Sequence, residues 1–212
     1  MIRAIIWDFD GTLVDSPAAV QAATNAALAE QGFAPADLEA VKAGMVKATV
    51  PRMAGHAGIA DSDPRAQSLM DAFYRHSAEL FPRTAQAFAG IPELLRSLAV
   101  PQAVVTNNHG VIVRDTLTRL GLIEILVAVL GDGDLPAPKP DPRAPWMAAA
   151  ACGVAPQDCA YVGDSAVDLQ TARAAGMVAV GVTWGTTRRA RMTGFDLLAD
   201  APGELAALLA AR

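Results

Sequence analysis

Five short apolar runs, each cut off by Gly, Pro, Asn or Asp, alternate with longer stretches of helical spacing, and this alternation restricts the fold more than anything else in the chain. The runs cover residues 2–7, 103–106, 125–130, 159–162 and 178–182. They are apolar on both faces and partly β-branched, which predicts strands buried in a parallel sheet. Helical patterns lie between them at 92–99, 111–120, 143–152 and 167–175, and a further one at 204–211 closes the chain. Strand alternating with helix predicts an α/β fold, a doubly wound parallel sheet with helices on both faces.

Residues 17–84 break the alternation. Apolar residues at helical spacing run over 18–31, stopped by Gly32, and over 65–80, where Leu69, Met70, Phe73 and Leu80 share a face. No strand pattern interrupts them. The expected organisation is therefore a discontinuous α/β core, 1–16 with 85–212, holding an all-helical insert at 17–84 that stands over the strand ends as a lid.

Charge and composition narrow the function classes. Lys and Arg total 17 against 22 Asp and Glu, a net charge of -5, and the one basic cluster is Arg188, Arg189 and Arg191 after the last run, so nucleic acid is not the expected partner. Apolar residues make up 52% of the chain, but many are alanine and no unbroken run reaches the roughly 18–20 residues of a membrane helix. Asp8 falls too early for a signal peptide, and the expected location is cytoplasmic. Cys152 and Cys159 flank a helix-to-strand turn and read as free thiols.

In a parallel sheet ligands sit beyond the carboxyl ends of the strands, so the polar residues at those ends matter most. The first run ends in Asp8-Phe9-Asp10-Gly11-Thr12, the second in Thr106-Asn107, and the third leads through Asp132 and Asp134 to Pro138-Lys139-Pro140. The fourth ends in Gly163-Asp164-Ser165, with Asp168 opening the next helix. Brought to one point, these carboxylates would repel unless a hard divalent cation stood among them. Magnesium, bound through carboxylates and substrate phosphate, is the cation such a set suits. Lys139 and Thr106 then face the remaining phosphate oxygens.

The same strings resemble the motifs of the haloacid dehalogenase superfamily. Asp8-Phe9-Asp10-Gly11-Thr12-Leu13-Val14-Asp15-Ser16 is similar to its first motif, Val104-Val105-Thr106-Asn107 to the second, Lys139-Pro140-Asp141-Pro142 to the third, and Val162-Gly163-Asp164-Ser165 with Asp168 to the fourth. The resemblance spans the chain outside the insert, and the insert resembles the family's small helical cap. It implies a Rossmann-like core and a magnesium-dependent phosphatase acting on a small phosphorylated metabolite, closest in pattern to phosphoglycolate phosphatases. It also implies roles: Asp8 as nucleophile, Asp10 as acid and then base, and Thr106, Lys139, the Asn107 backbone N–H and Gly11 at the phosphoryl group. Asp8, the Asp10 carbonyl and Asp164 would hold the metal, with Asp168 as a further ligand or an orienting residue. Lys139 is expected to keep Asp8 ionised.

Two other functions fit these residues. A phosphosugar mutase would use the same aspartyl-phosphate and reveal itself by needing a bisphosphate activator; a non-catalytic phosphate-binding regulator would bind without turnover. The chain departs from the phosphoglycolate phosphatase pattern at Asn108-His109-Gly110, which replaces a lysine-containing continuation. Lys42, Lys47 and Arg52 in the insert are candidates for an anionic substrate, weighed against ordinary solvated charge. His56, His76 and His109 read as surface or capping residues, and nothing in the sequence marks an oligomeric state.

Overall fold

The computed structural model describes residues 1–45 and 47–210. It divides into two compact units, Met1–Asp15 with Gln86–Arg212, and Ser16–Ala85. The first unit holds strands β1 (Ala4–Trp7), β2 (Val14–Asp15), β3 (Gln86–Ala87), β4 (Gln102–His109), β5 (Ala128–Asp132), β6 (Cys159–Gly163), β7 (Val178–Val182) and β8 (Leu197–Ala199). Helices α1 (Pro17–Glu30), α2 (Leu38–Gly44), α3 (Thr49–Ala57) and α4 (Pro64–Thr84) make up the second unit. The first unit's helices are α5 (Ile91–Ser97), α6 (Gly110–Arg119), α7 (Arg143–Ala151), α8 (Ala166–Ala175) and α9 (Pro202–Ala210).

All four residues of β1 are buried, and a strand apolar on both faces has to be covered on both. It runs through the interior of a six-stranded sheet of order β5-β4-β1-β6-β7-β8 in which every neighbouring pair is parallel. Ile6 lies opposite Ala103 of β4 and Tyr161 of β6, which fixes the register at the centre. Helices α7 and α8 bring Ala144, Ala148, Ala149 and Ala172 onto that centre, and their small side chains let the helices approach the sheet closely. Trp7 is fully buried, and its indole Nε1 donates to Gln102 Oε1 at 3.1 Å, so the polar end of the ring is satisfied inside the core. Next to β1, β2 and β3 pair as an antiparallel ribbon, Val14 opposite Ala87 and Asp15 opposite Gln86.

In the second unit α1 packs along α4. Arg75 of α4 grips Glu30 at the end of α1 through both guanidinium nitrogens, at 2.9 and 3.0 Å. The Asn25 amide donates to Ala36 O and accepts from Ala36 N, tying down the loop after α1. Arg52 is buried with its guanidinium 4.5 Å from the Phe73 ring centre, joining α3 to α4 by a cation–π contact. Lys42 pairs with Glu39, and Lys47 lines a cavity of about 210 Å³ together with Arg52 and His56. Among the described residues no helix is long and apolar enough to cross a membrane.

Several local expectations shift. The run at 125–130 begins in a 3-10 turn, Ile123–Ile125, and its strand starts at Ala128, where Val127 N has already met Gln102 O. Helix α4 passes through Pro82 to Thr84 instead of stopping at Leu80. Edge strand β8 lay outside the predicted runs. Of the closing helix expected at 204–211, Ala211 lies outside the described residues, and the helix starts earlier, at Pro202. Both cysteines are free, and burial pushes the Cys159 thiol up to about 11.

Candidate active site

The site grows from the carboxyl ends of β1, β4 and β6. Asp8 directly follows β1, and its N–H donates to Val162 O at 2.8 Å, so the ladder with β6 sets where its side chain emerges. The chain then turns sharply: Leu13 N and Val14 N both donate to Phe9 O at 3.0 Å. That turn needs Gly11 at φ +77°, and a Cβ there would stand 2.6 Å from Asp164 Oδ2. The Gly11 N–H donates to Val14 O at 2.9 Å and closes the turn.

Lys139 lies on the segment between β5 and α7, and its place is set by Asn107. The lysine N–H donates to Asn107 Oδ1 at 2.7 Å, and Asn107 Nδ2 donates to Lys139 O at 3.3 Å. From there the Lys139 ammonium donates to Asp8 Oδ1 and to Asp168 Oδ1, both at 2.7 Å, with all three side chains buried. Both Asp168 oxygens have protein partners. Its other oxygen accepts from Ser165 N at 3.0 Å and Ser165 Oγ at 2.5 Å in the capping box that starts α8. It is thus both helix cap and lysine partner.

Asp164 is held from a direction the sequence did not suggest. Thr186, beyond the end of β7, donates to Asp164 Oδ2 from its N–H at 2.6 Å and its hydroxyl at 2.7 Å. Trp184 donates from Nε1 to Thr12 O at 3.0 Å and ties the same loop to the first turn. At the end of β4, the Thr106 hydroxyl oxygen accepts from Asn108 N at 3.1 Å, and Asn108 Nδ2 donates to Asp10 Oδ2 at 2.9 Å. Thr186 and Asn108 are the site neighbours that sequence reasoning missed. The rule about strand ends would have found Thr186 had it been applied to β7 as well. Asp134, by contrast, is not at the site: its Oδ2 accepts from Arg114 Nη1 at 2.6 Å and Gly131 N at 3.1 Å.

One oxygen from each of Asp8, Asp164 and Asp168 lies within 4.8 Å of the others. Three buried carboxylates against one ammonium leave an excess of negative charge, and the titration behaviour follows. Burial, with Asp168 second, raises Asp8 well above the usual carboxylate range, and Lys139 pulls the other way without prevailing. Lys139 acts on Asp8 in the expected direction, but its one ammonium is shared between two carboxylates. Burial works to lower the Lys139 pKa, but Asp168 and Asp8 together hold it well above normal, so the lysine stays charged. Asp164 is pushed up to about 6 by burial and then Asp168, against the Thr186 bonds. Among the described residues no protein group donates to Asp8 Oδ2 or Asp164 Oδ1. An all-oxygen donor set with surplus negative charge and two uncommitted carboxylate oxygens fits a hard divalent cation.

The family model for haloacid dehalogenase-like hydrolases matches residues 5–182, which contain every residue of the cluster. A phosphoglycolate phosphatase of Neisseria meningitidis is 33% identical over 193 residues, 87% of this chain and 81% of that protein. One from Pseudomonas putida is 36% identical over 191 residues, 86% of this chain and 70% of that protein. The solved structure of a predicted phosphoglycolate phosphatase from Haemophilus somnus superposes with a TM-score of 0.86 at 23% identity, covering 98% of this chain and 97% of the other, a likeness of fold.

Proposed function

The chain belongs to the haloacid dehalogenase-like hydrolase family, and from that membership we propose that it is a magnesium-dependent phosphatase of the phosphoglycolate phosphatase type, releasing phosphate from a small phosphorylated metabolite through a phosphoryl group on Asp8. The observation that carries the proposal is the buried cluster in which Lys139 bonds both Asp8 and Asp168 beside Asp164. Residues 1–16 with 85–212 are read as the catalytic core. Residues 17–84 occupy the family's cap position in the sequence.

In the first step an Asp8 carboxylate oxygen attacks phosphorus, forming the Asp8 O–P bond as the bond from phosphorus to the leaving oxygen breaks. Asp10 gives a proton to that oxygen. In the second step water attacks the phosphorus of the aspartyl-phosphate and passes a proton to Asp10, and the Asp8 O–P bond breaks. Monoester and water become alcohol and inorganic phosphate, with both aspartates restored. Two of the three Lys139 ammonium hydrogens are directed at Asp8 and Asp168, which leaves the third for a phosphoryl oxygen. The Thr106 oxygen accepts from Asn108 N, which leaves its own hydrogen to donate there too. The Asn107 backbone N–H is assigned a third donor role. Asp8, the Asp10 carbonyl and Asp164 would hold magnesium, which supplies neutralising positive charge between carboxylates and phosphoryl oxygens.

The test is phosphate release from phosphoglycolate, sugar phosphates, nucleotides, pyrophosphate and 4-nitrophenyl phosphate, with and without magnesium, for the wild type and Asp8→Asn. Magnesium-dependent release that disappears in the variant is expected, because an amide does not attack phosphorus. Turnover surviving in Asp8→Asn would refute the covalent route. No phosphate release, with a sugar phosphate isomerised only when a bisphosphate activator is present, would replace the phosphatase by a mutase.

A further inference from the structure

We propose that Asn108 is a positioning residue for proton transfer, its side-chain amide fixing the Asp10 carboxylate so that it meets the leaving oxygen and, later, the attacking water. This rests on the reading of Asp10 as the acid and base. Four features lock Asn108. Its N–H donates to Thr106 Oγ1 at 3.1 Å, and its Oδ1 accepts from His109 N at 2.8 Å. The second bond settles which way the amide faces: the oxygen is taken by a backbone donor, so the NH₂ is the end turned to Asp10 Oδ2, 2.9 Å away. The register with β5 shifts between Val105 and His109, an irregularity that re-aims side chains at a strand end. Finally, Gly131 of β5 makes room for this segment, since a Cβ there would come within 2.6 Å of Asn108 O and of Gly110 Cα.

A carboxylate rotates about its last bond, and each orientation points different lone pairs at the substrate. Anchoring Oδ2 removes that freedom before the substrate arrives. Asn108 links Asp10, through its side-chain amide, to Thr106, through its backbone N–H, so a group that moves protons and a group assigned to hold phosphoryl oxygens share one support. The sequence departs from the phosphoglycolate phosphatase pattern at this position, where Asn108 stands in place of a lysine-containing continuation.

The test compares Asn108→Leu, which removes the donor, with Asn108→Asp, which keeps an acceptor for the His109 N–H but turns an oxygen toward Asp10. Each is assayed on phosphoglycolate, whose alkoxide leaves poorly without a proton, and on 4-nitrophenyl phosphate, whose leaving group needs none. The readout is the ratio of the two kcat/KM values on one preparation, which does not depend on how much of the variant is folded. Both variants should lose about tenfold more on phosphoglycolate than on the aryl ester. Asn108→Asp should be at least as impaired as Asn108→Leu. In an Asp10→Asn background neither should change the ratio further. An unchanged ratio in the single variants, or an Asn108→Asp milder than Asn108→Leu, overturns the proposal and leaves Asn108 a turn residue. If Asp10→Asn itself leaves the wild-type ratio unaltered, the reading of Asp10 fails first and takes this inference with it.

Discussion

Asp164→Asn should remove activity and yet stabilise the protein at neutral pH. Asp164 is 2% exposed, and burial followed by Asp168 lifts its carboxyl from 3.8 to about 6. The folded protein therefore keeps a proton on Asp164 over a range in which the unfolded chain has lost it. Below about pH 4 both states carry the proton and no stability is lost; between about 4 and 6 the folded state binds more protons and stability falls as pH rises. Above about 6 the loss is complete, and some two pH units at 1.36 kcal/mol each make it about 3 kcal/mol. Asparagine does not ionise, and its side-chain oxygen can still accept from the Thr186 N–H and hydroxyl. Removing that charge also relieves Asp8, which Asp164 pushes in the same direction. Urea unfolding in a chelator across the range from about pH 4 to pH 8 measures the effect, with the two proteins close at the acid end and the variant ahead by up to about 3 kcal/mol at the neutral end. Excess magnesium should then stabilise the wild type far more than the variant. A gap that does not change with pH, or a variant less stable than the wild type at neutral pH, would refute the argument.

Lys139→Met takes away the ammonium that Asp8 and Asp168 share, leaving buried carboxylates without their cation. Turnover should vanish and stability at neutral pH should fall by about 3–5 kcal/mol in urea unfolding, the deficit shrinking in acid. A wild-type unfolding midpoint would mean that the buried pair is not ionised. Gly11→Ala should cost more than Gly32→Ala, although the two backbones are alike at φ +77° and +76°. Both variants pay about 1–2 kcal/mol for the left-handed conformation. Only Gly11 has Asp164 in the way of a Cβ, while nothing lies within 4 Å of one at Gly32. Equal losses in thermal unfolding would show that the Asp164 side chain gives way freely.

Asp8 and Asp164 were legible because the apolar pattern of β1 and β6 runs right up to the carboxylate that ends each strand. Lys139 is different. Nothing local fixes its direction, and its place depends on Asn107 gripping its backbone across 32 positions of sequence, so it was legible only through the motif string around it. Asp168 could be read as cap or ligand because a carboxylate at a helix start suits either. The structure shows one oxygen capping and the other on the lysine. Thr186 and Asn108 act through space on residues 22 and 98 positions away, and a threonine or asparagine in a polar turn carries no mark of its partner. The run at 125–130 overlaps β5 but starts too early, for a simpler reason. Apolarity reports burial, and a 3-10 turn buries Ile125 partly before the strand begins. Strand β8 is three residues long, too short for a period to register.

The β2–β3 ribbon has a consequence for how a protein like this changes over time. The chain leaves the first unit at Asp15 and comes back at Gln86, and these two residues face each other across a hydrogen-bonded pair. Everything from Ser16 to Ala85 hangs from what is topologically the tip of a hairpin, where a turn of about two residues could close the gap. The helical unit therefore enters and leaves the first unit at one paired position, and its length sets no geometric demand on the pairing of β1, β4 and β6. The ribbon works as a splice site: it lets the first unit keep its strand-end residues in register while the inserted sequence diverges freely.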